Sequence, residues 1–115
     1  MSFSASGCFY LVLSGVAAAG GYAVSPDTIQ GETEKDYDQT WDAAVEVVSI
    51  MGTISSQSRE LGKIVALVND SKITINVVQL TTSSVRLKVK ARKSFFPSLP
   101  NAQNVYVKVM NKVNQ

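Results

Sequence analysis

Histidine is absent from this sequence, and cysteine occurs once, as Cys8. The lack of histidine excludes histidine-containing catalytic triads and the commonest protein ligand of transition metals. A single cysteine cannot form an intramolecular disulfide or build a cysteine-rich zinc site. No glycine-rich phosphate loop ending in Lys-Ser or Lys-Thr is present either. The sequence therefore predicts a protein that is not an enzyme and that uses no metal and no cofactor.

Charge is also scarce, and it is unevenly distributed. Charged residues make up 17% of the chain, and none occurs before Asp27. From Asp27 to Glu46 there are seven acids and a single base, Lys35, whereas the remainder has ten bases and two acids. An acidic half thus precedes a basic half, which bears on surface fields and partners rather than on the fold.

The 115 residues suffice for one domain with a core of its own. Residues 1–28 are apolar and rich in small side chains, and they are interpreted as a signal- or anchor-like segment with a linker. Residues 29–115 are predicted to form a single α+β domain.

Two segments of this domain show the three-four spacing of an amphipathic helix. The first covers residues 38–51, with Asp38 as its N-cap and Gly52 as its end. The second covers residues 101–113, with Asn101 as its N-cap. Its predicted buried face consists of Ala102, Val105, Tyr106, Val109, Met110 and Val113.

The other segments alternate apolar and polar residues, which is typical of strands. The predicted strands cover residues 28–37, 53–59, 64–68, 72–80 and 85–93. The first is expected to be an edge strand, and the short turns between the other four predict an antiparallel meander. The predicted order is β-α-β-β-β-β-α. We therefore expect a two-layer α+β fold, with an antiparallel sheet of four to five strands and both helices on one face.

The lone cysteine ends the sequence Ala5-Ser6-Gly7-Cys8, which resembles a bacterial lipobox. In such a box the cysteine receives acyl chains such as palmitate and anchors the protein to a membrane. Three alternatives remain open for the apolar segment around it. It is an ordinary signal peptide of a secreted protein, a membrane span, or an arm packed on the domain.

Features along most of the chain resemble a family of small, uncharacterised bacterial lipoproteins, known as a domain of unknown function. They are Gly7-Cys8 with the apolar run to Gly20-Gly21-Tyr22, the polar strand ending at Tyr37, the Trp41-Asp42-Ala43-Ala44 helix closed by Met51-Gly52, Gly62-Lys63-Ile64 with Ala66, Lys72-Ile73-Thr74-Ile75, and Val85-Arg86-Leu87-Lys88-Val89. The resemblance implies an envelope lipoprotein with an α+β domain, and it implies no activity.

A basic stripe, defined as Arg86, Lys88, Lys90 and Arg92, occupies alternate positions of the last predicted strand. Alternation places these four side chains on one face of the sheet. They are candidates for binding anions such as lipid phosphates or acidic glycans, and the alternative is a solvated face that only maintains solubility. Because no aromatic residue interleaves with the stripe, no specific nucleic-acid partner is expected.

Other candidate sites have simpler explanations. The loop Phe95-Phe96-Pro97-Ser98-Leu99-Pro100 is either a contact for a partner or a membrane surface, or a cap on one end of the core. Asp36, Asp38 and Asp42 are candidates for a cation site or an acid/base pair, but capping and the positive end of the helix dipole explain them more simply.

The sequence thus predicts an interaction or structural domain, anchored through Cys8 in the bacterial cell envelope and facing the periplasm. Its partners would be the membrane and either an envelope protein or an anionic ligand. The alternative is a soluble or secreted module that binds an anionic ligand through the basic stripe.

Overall fold

A computed structural model describes residues 21–93 and 96–114 of the chain. The strands are β1 (Gly21–Ser25), β2 (Thr28–Thr33), β3 (Thr53–Ser58), β4 (Lys63–Val68), β5 (Ser71–Thr81), β6 (Ser84–Lys93) and β7 (Phe96–Pro97). The helices are α1 (Tyr37–Met51) and α2 (Leu99–Val113). The α+β class with two helices is confirmed.

All seven strands join one sheet in the order β1-β2-β6-β5-β4-β3, and β7 pairs with the end of β6. Every pairing is antiparallel. Strands β3 to β6 form the meander that their short turns predict. Helix α1 carries the chain from β2, near one edge of the sheet, to β3 at the opposite edge.

The predicted strand number and order were wrong, because the sheet has seven strands rather than four or five. One additional strand, β1, lies in the apolar segment before residue 29, where small and apolar residues mask its alternation. Because β1 pairs with one side of β2 and β6 pairs with the other, β2 is an interior strand and not the expected edge. The other additional strand, β7, has two residues and lies in the predicted loop before α2.

Helix α1 starts one residue earlier than predicted, and its N-cap is Asp36 rather than Asp38. The Asp36 carboxylate accepts a hydrogen bond from the Gln39 amide at 2.7 Å, and the Gln39 side chain accepts one from the Asp36 amide. This reciprocal pair is a capping box, which a glutamine three residues after an aspartate permits. Gly52 ends the helix as predicted, and a Cβ there would lie 2.0 Å from the Leu67 carbonyl oxygen.

Helix α2 starts two residues before the predicted Asn101, and Pro100 occupies its first turn, where no amide hydrogen is needed. Asn101 does not cap the helix. Its side-chain amide donates hydrogen bonds to Ser71 Oγ at 2.6 Å and Ser98 Oγ at 2.9 Å, which ties α2 to the start of β5. The predicted apolar face of α2 is confirmed, since all six of its residues are buried.

The core lies between the helices and one face of the sheet. Strand β6 contributes Val85, Leu87, Val89 and Ala91, all fully buried, and β5 contributes Ile73, Ile75 and Val77. Because side chains alternate along a strand, the residues between these positions project from the other face, which no helix of the described residues covers. This uncovered side is called the outer face.

Two turns help to determine the pairing register of the meander strands. Asn69 and Asp70, between β4 and β5, both have positive φ, which these residue types tolerate better than most others. Gly62 has a φ of +67° before β4, and a Cβ there would lie 2.2 Å from the Val77 carbonyl oxygen. Both turns set which side chains of neighbouring strands lie opposite each other.

Candidate anion-binding face

The alternation of β6 places all four residues of the basic stripe on the outer face. Their neighbours Val85, Leu87, Val89 and Ala91 are fully buried on the opposite face, so the stripe side chains project away from the core. Successive stripe residues are separated by about 7 Å along the strand. The stripe is therefore continuous, but its four members differ in their surroundings.

The arginines at the two ends of the stripe form ion pairs within the domain. Arg86 lies 3.3 Å from the Glu32 carboxylate, and Arg92 lies 2.9 Å from that of Asp27. Both acids come from the β1–β2 hairpin, which the pairing of β2 with β6 brings alongside the stripe. Acidic partners therefore compensate both arginine charges, and the two ion pairs connect the β1–β2 hairpin to β6.

Three side chains bind the Asp27 carboxylate. Its Oδ1 accepts hydrogen bonds from Ser25 Oγ at 2.6 Å and Thr28 Oγ1 at 2.7 Å, while Oδ2 faces Arg92. These bonds stabilise the charged form, with Ser25 contributing most, and they lower the Asp27 pKa from 3.8 to about 2 in spite of partial burial. Asp27 therefore stays ionised at neutral pH.

The two central lysines of the stripe, Lys88 and Lys90, differ from the arginines because their cross-strand neighbours are uncharged. Among the described residues no carboxylate lies within 4.0 Å of the Lys88 or Lys90 amino group, although the Lys90 charge acts on Asp27 from a longer distance and helps to lower its pKa. Lys88 is flanked across the sheet by Gln30 and Asn76, which are neutral. Lys90 is flanked in the same way by Thr28 and Thr74.

Two further lysines, from β4 and β5, join this pair, and reasoning from the sequence missed both. Lys72 is the cross-strand partner of Arg92, and Lys63 is the partner of Asn76, which in turn lies opposite Lys88. Within the described chain, neither lysine forms an ion pair. The sequence signal was available, because Lys72 occupies the polar phase of a strand whose apolar phase is Ile73, Ile75 and Val77.

Together these side chains line a depression of about 460 Å³ on the outer face. We call the four lysines that form no ion pair among the described residues the lysine cluster: Lys63, Lys72, Lys88 and Lys90. Thr28, Thr74, Asn76 and Arg92 complete the lining. Ammonium, hydroxyl and amide groups all donate hydrogen bonds, so the depression is chemically suited to an anion with several oxygen atoms.

The lysine cluster also departs from the rule that favours opposite charges across strands. Lys72 and Arg92 are directly opposite, an arrangement that destabilises a sheet by a few tenths of a kcal/mol. Departures of this kind tend to occur at functional sites, where binding rather than stability determines the residue.

The other predicted sites are placed as follows. Cys8 and Phe95 lie outside the described residues, and Phe96 is exposed on β7. Asp38 and Asp42 both pair with Arg59, so they connect α1 to the end of β3. Across residues 21–93 and 96–114, no group of three or more potential ligands is arranged to hold a metal ion. None of the helices in those ranges combines the length and apolar character that a membrane span needs.

Comparison with known proteins places the chain in a family without assigning it an activity. No curated protein matches it. A family model described as "Protein of unknown function (DUF3568)" matches residues 1–93, which include the apolar N-terminal segment, the capped helix and the whole meander up to the end of β6. The resemblance to an uncharacterised family is thereby confirmed, and the chain belongs to the DUF3568 family of proteins of unknown function.

Proposed function

We propose that this protein is a non-enzymatic binding module that holds an anionic ligand on its lysine cluster and is tethered to the envelope membrane through a lipid on Cys8. The observation that carries the binding proposal is the convergence on one depression of four ammonium groups that form no ion pair among the described residues. Like charges repel in the free protein, and a multivalent anion relieves that repulsion when it binds.

The groups with shifted pKa values support binding rather than chemistry. The Asp27 carboxylate is occupied by Ser25, Thr28 and Arg92, so it has little capacity to accept a further proton or ligand. Burial raises the pKa of the Tyr106 hydroxyl, and that side chain is fully enclosed in the core. Neither group faces the depression as a free acid or base, which favours a module that recognises charge.

The binding proposal is tested with tripolyphosphate as a probe ligand. Titration of the wild-type chain followed by calorimetry should show binding that weakens as salt is added. The Lys88→Gln/Lys90→Gln variant should bind about tenfold more weakly or worse, because two charge-assisted hydrogen bonds at a partly exposed site are lost.

The matched control is Lys35→Gln/Lys108→Gln, which removes the same net charge away from the depression. Lys35 follows β2, and Lys108 is exposed on α2. The control should bind like the wild type. Equal weakening in both variants would mean that only net charge matters, and it would remove the lysine cluster as a site.

The tether is supported by the lipobox-like spacing of Ala5-Ser6-Gly7-Cys8 and by the uncharged run that continues to Pro26. Expressed in a bacterium from its natural gene, the protein should appear in the membrane fraction and carry a mass increase from acyl chains. Cys8→Ala should release it, whereas Ser6→Ala should not, because alanine is also small. Equal membrane retention of both variants without an acyl mass would contradict lipidation and favour one of the alternatives for the apolar N-terminal segment.

A further inference from the structure

The outer face carries exposed apolar side chains on both sides of the lysine cluster. Tyr22 and Val24 project from β1 with 47% and 46% of their surface exposed, beside β2. Leu67 projects from β4 with 54% exposed, and Val78 from β5 with 45%. Tyr22 pairs with Gln30, Leu67 with Lys72 and Val78 with Arg86, so these three side chains lie on the outer face. A bulge in β1 sets Val24 together with Ser25 opposite Thr28, at the edge of the same face.

We call the exposed apolar side chains Tyr22, Val24, Leu67 and Val78 the apolar rim. A small soluble anion bound to the lysine cluster would not contact this rim, whereas a membrane surface would contact both the lysines and the rim. At a bilayer of anionic lipids, lysines meet headgroup phosphates while neighbouring aliphatic and aromatic side chains enter the boundary with the acyl chains. Tyrosine suits this boundary because its ring is apolar and its hydroxyl is polar. The Tyr22 hydroxyl already accepts a hydrogen bond from Gln30 at 2.8 Å, which orients the ring along the rim.

We infer that the outer face docks directly on an anionic membrane, with the lysine cluster on lipid phosphates and Tyr22, Val24 and Leu67 in the interfacial layer. This inference rests on the proposed function for its lysines, and it names lipid headgroups as the ligand. Gly21, at the start of β1, follows Cys8 by 13 residues. An extended chain of that length reaches at most about 45 Å, so an acyl chain on Cys8 would keep the face within reach of the same bilayer.

The test uses the full chain with Cys8→Ala, so that no acyl chain contributes, and vesicles of two compositions. One is pure phosphatidylcholine, and the other contains about 30% phosphatidylglycerol, enough to make the surface anionic. Sedimentation should show stronger binding to the anionic vesicles, and the difference should fall as salt rises. In that background Lys88→Gln/Lys90→Gln should weaken anionic-vesicle binding about 25-fold, since each lysine near such a surface contributes about fivefold.

The apolar rim is tested separately from the charge. Val24→Thr/Leu67→Thr should weaken vesicle binding about fivefold or more, because partly exposed apolar surface is no longer transferred from water. Tripolyphosphate binding of this variant should not change. The matched control is Ile50→Thr, which removes an apolar side chain that is 77% exposed on α1, in the helical layer, and which should leave vesicle binding intact.

The outcomes separate this inference from the proposed function. The membrane inference fails if the rim variant binds vesicles as tightly as the wild type, or if the protein binds both kinds of vesicle equally. In either case, binding of tripolyphosphate would still support the lysine cluster as an anion site. If the lysine variant loses neither ligand, the proposed function fails as well. Tighter binding to a DNA duplex than to anionic vesicles at the same salt would overturn the choice of a membrane as the ligand.

Discussion

At the scale of single residues, Asp27 shows how one carboxylate joins the hairpin to the candidate site. It accepts hydrogen bonds from Ser25 and Thr28 and pairs with Arg92, 65 residues away in the chain. The sequence offers no indication of this contact, since it depends on β2 pairing with β6 across the long α1 connection. The same holds for Arg86 and Glu32, which are 54 residues apart. Sequence alternation could therefore place four charges on one face, but it could not say which two were neutralised.

Asp27→Asn should reduce the free energy of unfolding by roughly 1–2 kcal/mol at neutral pH, because the charged form is the one that the three donors stabilise. The Asp27 pKa is lower in the folded state, about 2, than the ordinary 3.8. Its contribution is therefore complete above about pH 4 and is lost as the pH falls towards 2. Urea unfolding of both proteins across this range measures the difference.

Glu34→Gln is the control for this experiment, because Glu34 is an exposed carboxylate just beyond β2. It should change stability little at any pH in the series. A difference between wild type and Asp27→Asn that persists unchanged at pH 2 would show that the carboxylate charge is not the source of the effect.

At the scale of elements, short connections were the most informative part of the sequence. The β3–β6 meander was predictable because two-residue turns such as Asn69-Asp70 permit only an antiparallel neighbour. The buried face of α2 was predictable from the three-four spacing of its apolar residues. Strand β1 was not predictable, because the five small or apolar residues from Gly21 to Ser25 resemble in composition the apolar sequence that precedes them. The start of α2 was misplaced because Pro100 suggests a loop, although proline is also favoured in a first helical turn.

Lys72 on β5 and Arg92 on β6 are cross-strand partners of like charge. Lys72→Gln should raise the free energy of unfolding by about 0.2–0.5 kcal/mol, because it removes repulsion between directly opposed like charges. The same change should weaken tripolyphosphate binding. Chemical unfolding together with calorimetry checks both effects, and Lys35→Gln should show neither. Reduced stability in Lys72→Gln would indicate that the lysine supports the sheet rather than a ligand.

At the scale of the whole molecule, the two sides of the sheet carry different kinds of residues. Helices and core occupy one side of the sheet, and the open side presents lysines from β4, β5 and β6 around a single depression. The sequence suggested a stripe along one strand, whereas the sheet order turns it into a patch across three strands. That change follows from register, because Lys63 and Lys72 reach Lys88 and Lys90 only through the pairings of β4 with β5 and of β5 with β6.

The lysine cluster is tested most directly by mapping amide chemical shifts in the ¹⁵N-labelled protein during titration with tripolyphosphate. We predict that the largest changes fall at Lys63, Thr74, Asn76, Lys88 and Lys90, on the outer face, and that the amides of α1 and α2 change little. Shifts that concentrate on the helices or spread evenly over all exposed lysines would contradict the assignment of the lysine cluster as the anion site.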